Sequence, residues 1–218
     1  DISFENVSFY REAKCIYNDI SFQIPSKKIT TILGPSGAGK TTILQLIAGL
    51  IKPTTGQICV DEHRVRPNSS EKSLEEMRKK LGFLFQSGAL FNQMSVYDNI
   101  AFPIRKNTLL DENIIHTIVL LKLEAVGLAY TIDMMPSELS GGMARRVALA
   151  RSIALDPDIM MYDEPFTGQD PTSFKKLLKL ISTLNYTLGI TSILVSHNIE
   201  ESLSLSDHII IVGDKSLI

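Results

Sequence analysis

A glycine-rich segment constrains the fold of this chain more than any other part of the sequence. The apolar run over residues 28–33 contains two isoleucines and two threonines, which predicts a buried strand. It leads directly into Gly34-Pro35-Ser36-Gly37-Ala38-Gly39-Lys40-Thr41, which matches the pattern G-x-x-x-x-G-K-[ST]. Apolar residues with helical spacing follow over residues 41–50. A strand, a glycine loop and a helix in this order predict a βαβ unit whose loop holds phosphate groups.

The residue types in this loop are those that phosphate binding requires. Glycines let consecutive backbone N–H groups point inward around phosphate oxygens, and the following helix presents its positive end. Lys40 reaches the β- and γ-phosphates, and Thr41 offers a hydroxyl to Mg²⁺. The loop is shared by nucleotide kinases, GTPases and motor ATPases, so the class of enzyme stays open here. We predict that a nucleoside triphosphate is bound by Gly34, Pro35, Ser36, Gly37, Ala38, Gly39, Lys40, Thr41 and Thr42.

Short apolar runs elsewhere predict the rest of an α/β fold. Residues 2–4 and 20–24 alternate as short strands do near the N-terminus. Runs at 159–162, 191–195 and 209–212 are each followed at once by polar residues, as expected for buried parallel strands whose carboxyl ends carry chemistry. We therefore expect a P-loop NTPase fold of the RecA-like kind, with a mostly parallel sheet and N-terminal antiparallel strands.

The middle of the chain has a different sequence pattern, because apolar residues with helical periodicity replace the β-branched runs. We expect one domain with an inserted helical subdomain over residues 82–155, while residues 1–81 and 156–218 form the catalytic core. Since the chain stops just after a strand-like run, we expect its C-terminal end to be cut short.

The composition limits the kinds of partner. The 218 residues include 22 Lys and Arg against 24 Asp and Glu, and this balance argues against a nucleic-acid partner or an anionic membrane surface. The two cysteines, Cys15 and Cys59, are too few for a disulfide framework and suggest a reducing compartment. No run approaches about 18 apolar residues, so we do not expect the chain to span a bilayer by itself.

Polar residues with catalytic chemistry follow three of the apolar runs. Side chains alternate along a strand, so Asp163 and Glu164 cannot do the same job. We expect Asp163 to orient the Mg²⁺ shell and Glu164 to polarise the water that attacks the γ-phosphate. His197 is placed to hydrogen-bond that phosphate. Gln86 follows an apolar run too, where an amide contact with Mg²⁺ or the attacking water and an ordinary polar residue are equally open.

A second anion site is predicted at residues 139–143. Ser140 is suited to cap the helix that follows, and Gly141 and Gly142 leave backbone N–H groups exposed at its positive end. One chain rarely folds two phosphate sites onto one nucleotide. The simpler interpretation is that this site serves the nucleotide of a second subunit.

Together these segments resemble the ABC ATPases, the nucleotide-binding subunits of ATP-binding-cassette transporters, over essentially the whole chain. The resemblance implies ATP and Mg²⁺ as cofactors and a head-to-tail homodimer that sandwiches ATP between the phosphate loop of one subunit and the signature of the other. By this resemblance the Walker A loop is Gly34 to Thr41, the Q-loop residue is Gln86, the signature is Leu139 to Met143, the Walker B strand is Ile159 to Glu164, the D-loop ends at Asp170 and the switch histidine is His197.

Three positions depart from the usual pattern of this family. The signature ends in Met143, where the family mostly has Gln, but the phosphate-facing residues before it are intact. The D-loop reads Thr-Gly-Gln-Asp in place of the common Ser-x-Leu-Asp and keeps Asp170. Arg11 stands at the usual position of the tyrosine that stacks on adenine, with Tyr10 one place earlier, and either side chain can stack on the base.

Residues 85–91, 136–146 and 166–171 are similar to the ATPase subunits of bacterial Mla systems, which maintain outer-membrane lipid asymmetry. This similarity implies phospholipid movement between the inner and outer membranes of a Gram-negative cell. It also implies integral membrane permease subunits, a periplasmic lipid-binding subunit and a small cytoplasmic regulatory subunit. The chain would lie peripherally on the cytoplasmic face of the inner membrane, with Gln86 and residues 90–94 towards the permease.

Other functions compete with this interpretation. An ABC transporter for another substrate would share all the motifs. Soluble ABC proteins of the ribosome or of DNA repair usually carry two cassettes or long coiled-coil insertions, and neither is present here. A non-hydrolysing module is disfavoured by the presence of both Glu164 and His197, and a P-loop kinase by the signature.

Overall fold

A computed structural model describes residues 1–213, apart from the side chain of Glu201. The last residues of the predicted core, 214–218, lie outside the described part. The strands form two sheets. The first is antiparallel, with strand order β2-β1-β4-β5, and the second is parallel, with order β6-β7-β8-β3-β9. The strands are β1 (Ile2–Arg11), β2 (Lys14–Ile24), β3 (Ile29–Leu33), β4 (Thr55–Val60), β5 (His63–Val65), β6 (Leu81–Leu84), β7 (Ile159–Asp163), β8 (Thr191–Ser196) and β9 (His208–Ile211).

Helices cover both faces of the parallel sheet and fill the insertion between β6 and β7. Two short 3₁₀ turns, Ala129–Thr131 and Pro136–Glu138, precede the helix that starts at the signature segment. The helices are α1 (Lys40–Ile47), α2 (Glu71–Arg78), α3 (Val96–Asn107), α4 (Glu112–Ala125), α5 (Gly141–Ser152), α6 (Pro171–Leu188) and α7 (Ile199–Leu205).

The parallel sheet separates two hydrophobic cores. Because side chains alternate along a strand, Met160 and Tyr162 point into the core shared with α3 to α6. Ile159 and Met161 point into the opposite core, which lies against α1, α2 and the antiparallel sheet. All four side chains are almost fully buried, so the strand that carries Asp163 and Glu164 is held on both faces.

The proposed boundary of the helical subdomain at residue 82 falls inside β6. This strand pairs with β7 in parallel register, with Gly82 opposite Met160 and Leu84 opposite Tyr162. A Cβ on Gly82 would collide with the Met160 side chain, so the close approach to β7 requires glycine there. Residues 82–84 are therefore part of the sheet, and the helical segment starts after Leu84.

Candidate nucleotide site

The phosphate loop joins β3 to α1 in a conformation that requires glycine. Gly39 is the N-terminal cap of α1 and has a φ of 94°, in the left-handed region. A Cβ at this position would lie 2.8 Å from the hydroxyl oxygen of Tyr17. The buried Tyr17 side chain donates a hydrogen bond to the Ala38 carbonyl over 3.4 Å, and burial raises the pKa of its phenol. Tyr17 therefore stabilises the conformation of the phosphate loop through this hydrogen bond.

Lys40 is buried at the centre of this loop. Its Nζ donates hydrogen bonds to the carbonyls of Gly34 and Pro35, both at 2.9 Å, and lies 3.9 Å from Glu164 Oε1. Burial lowers the pKa of Lys40, while the carboxylates of Glu164 and Asp163 act in the opposite direction. The ammonium group is thus held in the loop by the carbonyls and stands next to the end of β7.

Thr41 and Asp163 form the part of the site that fits Mg²⁺. Thr41 Oγ1 donates to both carboxylate oxygens of Asp163, at 2.9 and 3.1 Å. Two oxygens bound at right angles to one Mg²⁺ at about 2.1 Å would be about 3 Å apart, so these two side chains can be neighbouring ligands. Burial raises the pKa of Asp163, and the Thr41 hydroxyl partly opposes the shift. A divalent cation would favour the ionised carboxylate.

Glu164 follows β7 in an unusual backbone conformation. Its φ is 45°, a left-handed value that is strained for a residue with a side chain, and its N–H donates to the Val195 carbonyl at 3.0 Å. Glu164 Oε2 accepts a hydrogen bond from Thr167 Oγ1 at 3.0 Å and lies 3.1 Å from His197 Nδ1. Both contacts engage the same oxygen, so Oε1 is the atom that faces the nucleotide side.

An open cleft of about 500 Å³ lies over these groups. One wall comes from the end of the β1–β2 hairpin, with Arg11 and Lys14, and the other comes from the phosphate loop and Glu164. The hydroxyl of Tyr10 lies 3.5 Å from Asn18, and Tyr10 is absent from the described lining of this cleft. Pro35 and Ala38 instead line a neighbouring cavity of about 320 Å³ on the other side of the loop.

The remaining predicted residues lie outside the cleft, within the part of the chain that the structure describes. Ser140 caps α5, and its Oγ accepts from the Met143 N–H at 3.3 Å, while Gly141 is exposed. Asp170 caps α6, and its Oδ1 accepts from the N–H groups of Thr172 and Ser173 at 2.9 and 3.0 Å. Gln86 is exposed and lies two residues after the end of β6.

Tyr17 has no role predicted from the sequence, and Thr167 is predicted only as a position of the D-loop motif. Tyr17 is 21 residues from its loop partner, and no local pattern indicates that contact. Thr167 lies three residues after Glu164 and hydrogen-bonds it, which is the spacing of a turn after a strand. That spacing was a usable signal.

A parallel sheet whose strand ends bring a phosphate loop, an aspartate and a glutamate together defines a P-loop nucleoside-triphosphate hydrolase. A family model described as ABC transporter matches residues 17–167. The chain belongs to this family, as an ABC-type ATPase that binds ATP.

Relatives over the whole chain agree with this family. The intermembrane phospholipid transport system ATP-binding protein MlaF of Haemophilus influenzae is 54% identical over 217 residues, which cover 100% of this chain and 82% of the relative. The protein of the same name from Escherichia coli K12 is 52% identical, with 80% of its length covered. A solved dimeric ATP-binding cassette, MJ0796 bound to ADP and Pi, superposes with a TM-score of 0.90 at 27% identity, covering 100% of this chain and 96% of that one.

These findings confirm the resemblance and the α/β fold class predicted from the sequence. ATP as the nucleotide and ATP hydrolysis as the reaction also follow from the family. The roles of individual site residues stay predictions. Across residues 1–213 no helix combines the length and the apolar character that a membrane crossing needs.

Proposed function

We propose that ATP hydrolysis by this chain drives phospholipid movement between the inner and outer membranes of a Gram-negative cell. The observation that supports the substrate is the identity of 52–54% with two proteins named as ATP-binding subunits of an intermembrane phospholipid transport system. In this proposal the chain supplies the free energy, and integral membrane permease subunits move the lipid.

In the proposed reaction, each polar group of the cleft has one task. Lys40 and the loop N–H groups hold the β- and γ-phosphates, and Glu164 Oε1 polarises the attacking water. His197 holds Oε2 and links the γ-phosphate to the glutamate. Thr41 and Asp163 would hold Mg²⁺, which neutralises charge on the phosphate oxygens when bound. Arg11, which lines the cleft, would stack on the adenine.

We also propose that two copies of the chain form a head-to-tail dimer. Supporting this, Ser140, Gly141 and Gly142 lie away from the chain's own cleft and present the start of α5. A helix start with exposed N–H groups is suited to a phosphate group, and here it would take the γ-phosphate bound by the second copy. The solved cassettes MJ0796 that share this fold are dimeric.

An apolar groove supports the proposed contact with a permease. It has a volume of about 410 Å³ and is lined by Phe85, Phe91 and Phe102, all partly exposed. Gln86 follows Phe85 directly, so movement at the groove would reach Gln86, which we propose contacts Mg²⁺ or the attacking water when the nucleotide is bound. We propose that the chain binds the permease through this groove and so lies peripherally on the cytoplasmic face of the inner membrane. A periplasmic lipid-binding subunit and a small regulatory subunit complete the proposed assembly.

The experiment is ATP-dependent lipid transfer by the assembled transporter. The chain is purified with its membrane partners, reconstituted into vesicles that contain a fluorescent phospholipid, and supplied with Mg²⁺ and ATP. We expect transfer with the native chain and none with Glu164→Gln, which keeps the shape of the side chain but removes its basicity. Hydrolysis that proceeds without lipid transfer would contradict the substrate and favour an ABC ATPase for another substrate. Retained hydrolysis by Glu164→Gln would contradict the role of Glu164.

A further inference from the structure

The start of α5 is packed against the segment that follows Glu164. A Cβ on Gly142 would collide with the Ser173 side chain and would lie 3.6 Å from Gln169 Oε1. The backbone of the signature segment therefore approaches residues 169–173 as closely as a glycine permits. Movement of the start of α5 towards this segment would push against Ser173, because the contact has no free space.

Arg145 makes a second contact between the same two elements. It lies one turn into α5, and its Nη2 donates to the Thr167 carbonyl at 3.4 Å. Its Nη1 is buried and has no hydrogen-bond partner among the described residues. A half-buried guanidinium with one long hydrogen bond and one unpartnered nitrogen is a poor stabilising element. Stability alone therefore does not account for an arginine at this position.

Its neighbour Arg146 shows what a purely stabilising arginine looks like on the same helix. Arg146 Nη1 donates to the Val126 carbonyl at 2.9 Å, and Val126 is the C-terminal cap of α4, outside the lining of the nucleotide cleft. Arg145 and Arg146 thus have the same side chain, the same helix and the same kind of acceptor. They differ in the segment that each one holds.

Thr167 connects this contact to the proposed catalytic carboxylate. Its carbonyl accepts from Arg145, and its hydroxyl donates to Glu164 Oε2 at 3.0 Å. Glu164 lies just after the end of β7 and has a strained, left-handed φ, so no regular strand geometry sets the direction of its side chain. Its orientation depends on hydrogen bonds. Together with His197, Thr167 holds Oε2 and directs Oε1 towards the phosphate side.

We propose that Thr167 and Arg145 are positioning residues for Glu164. They connect the start of α5, which in the dimer faces the partner's nucleotide, to the carboxylate that acts on this chain's own nucleotide. ATP bound at one site would thereby set the base of the other site through contacts within a single chain. This inference rests on the proposed roles of Glu164 and of the signature segment.

The first test changes only the hydroxyl of Thr167, in the full chain, with kcat and KM for ATP as readouts. Thr167→Val keeps the shape and removes the donor, and we expect kcat to fall about 10-fold with KM within about twofold. Thr167→Ser restores the donor, and we expect kcat within about threefold of the native value. Thr167 is exposed, so both variants are expected to fold. Native kcat in Thr167→Val, or a Thr167→Ser as slow as Thr167→Val, would overturn the proposal.

The second test compares the two neighbouring arginines. We expect Arg145→Met to lower kcat by at least about threefold and Arg146→Met to leave kcat of the folded protein within about twofold. The thermal midpoint of each variant is measured beside kcat, and kcat is taken well below that midpoint, so a difference in stability does not account for a difference in kcat. Equal losses of kcat in the two variants would overturn the connection through Arg145. Glu164→Gln distinguishes a failure of this inference from a failure of the proposed function, because an active Glu164→Gln variant contradicts the proposed function itself.

Discussion

At the scale of single residues, Lys40 is a buried side chain whose positive charge is suited to binding phosphate. Its side chain is 5% exposed, and the two loop carbonyls keep the ammonium solvated by protein in place of water. Burial lowers its pKa, and the two nearby carboxylates oppose that shift. The group is therefore a cation fixed in position before the nucleotide arrives, which spares reorganisation on binding.

Lys40→Ala should weaken ATP binding by at least about 10-fold, because a charge-assisted contact with phosphate is lost. Titration of the purified chain with a fluorescent ATP analogue measures the dissociation constant. Lys52→Ala is the matched control, since Lys52 also donates to a backbone carbonyl, that of Ser69 at 2.7 Å, but is exposed and outside the cleft. Unchanged affinity in Lys40→Ala would contradict the phosphate-binding role.

Gly39 leads to a second prediction at this scale. Gly39→Ala places a Cβ 2.8 Å from the Tyr17 hydroxyl in a left-handed backbone, so we expect a loss of about 1–3 kcal/mol in stability together with weaker ATP binding. Urea unfolding and nucleotide titration measure the two effects. In the control Gly37→Ala, φ is 80° but no atom lies within 4 Å of the added carbon, so only the backbone strain remains. A smaller loss in Gly39→Ala than in Gly37→Ala would contradict the contact with Tyr17.

At the scale of elements, the sequence patterns identified the parallel strands better than the helices. Strands β7 and β8 were predicted to within a residue because each is a short apolar run that ends at a polar residue. Helix α6 was not predicted, although Asp170, Pro171 and Gly189 are typical start and stop signals. Asp170 thus has a structural role as the cap of α6 besides its position in the D-loop motif.

Helix α3 is also hard to predict from the sequence, because it contains Pro103, which weakens any helical pattern. Its start is stabilised by the Ser95 cap.

Contacts between distant segments could not be predicted from the sequence at all. The contact of Gly39 with Tyr17 and that of Arg145 with Thr167 depend on how elements pack, because the partners are remote in sequence. Motif residues can be recognised from their spacing in the sequence, whereas the residues that hold them in position can be recognised only from the structure.

Asn99 on α3 is the polar group that holds the segment before this helix in place. It is fully buried, its Nδ2 lies within 3.1 Å of the carbonyls of Phe91, Met94 and Ser95, and its Oδ1 accepts from the Phe91 N–H at 2.9 Å. Arg151 on α5 donates to the same Oδ1 at 3.3 Å and to the carbonyls of Gly88 and Ala89. One amide thus joins two helices to the wall of the apolar groove.

Asn99→Ala should lower the free energy of unfolding by about 2–4 kcal/mol, because several buried backbone groups lose their partner. Urea denaturation measures the change. Asn107→Ala is the control on the same helix, since Asn107 is exposed and its Nδ2 donates to a single carbonyl, that of Pro103, among the residues that the structure describes. We expect that variant to lose less than about 1 kcal/mol. A loss in Asn99→Ala no larger than that of the control would show that the groove wall is held by other contacts.

At the scale of the whole molecule, the phosphate loop and the signature segment, which we propose are two halves of a nucleotide site, do not meet within the chain. The phosphate loop and Glu164 line one cleft, and Asp163 accepts from Thr41, which lines the same cleft, whereas the start of α5 lies outside it in the described structure. The fold explains this separation, because α5 belongs to the insertion between β6 and β7 and not to the strand ends that form the cleft. A second copy in the opposite orientation would bring complementary halves together twice.

Mixing two inactive variants tests this arrangement directly. Ser140→Arg blocks only the signature half, and Lys40→Ala disables only the phosphate-loop half. In a head-to-tail heterodimer, the intact loop of the first variant meets the intact signature of the second, so one site is complete and the other lacks both halves. Random pairing at equal amounts makes half of the dimers mixed, and we expect up to about one quarter of native ATPase activity.

The alternative arrangement makes a different prediction for the same mixture. If each nucleotide were held by the loop and the signature of one chain, every site in every dimer would carry one defect, and mixing would restore nothing. Steady-state ATP hydrolysis of the mixture, compared with each variant alone at the same total concentration, decides between the two. The result depends on pairing, so dilution below the dimerisation range should abolish the restored activity while each variant alone stays inactive. No gain of activity on mixing would contradict the head-to-tail arrangement.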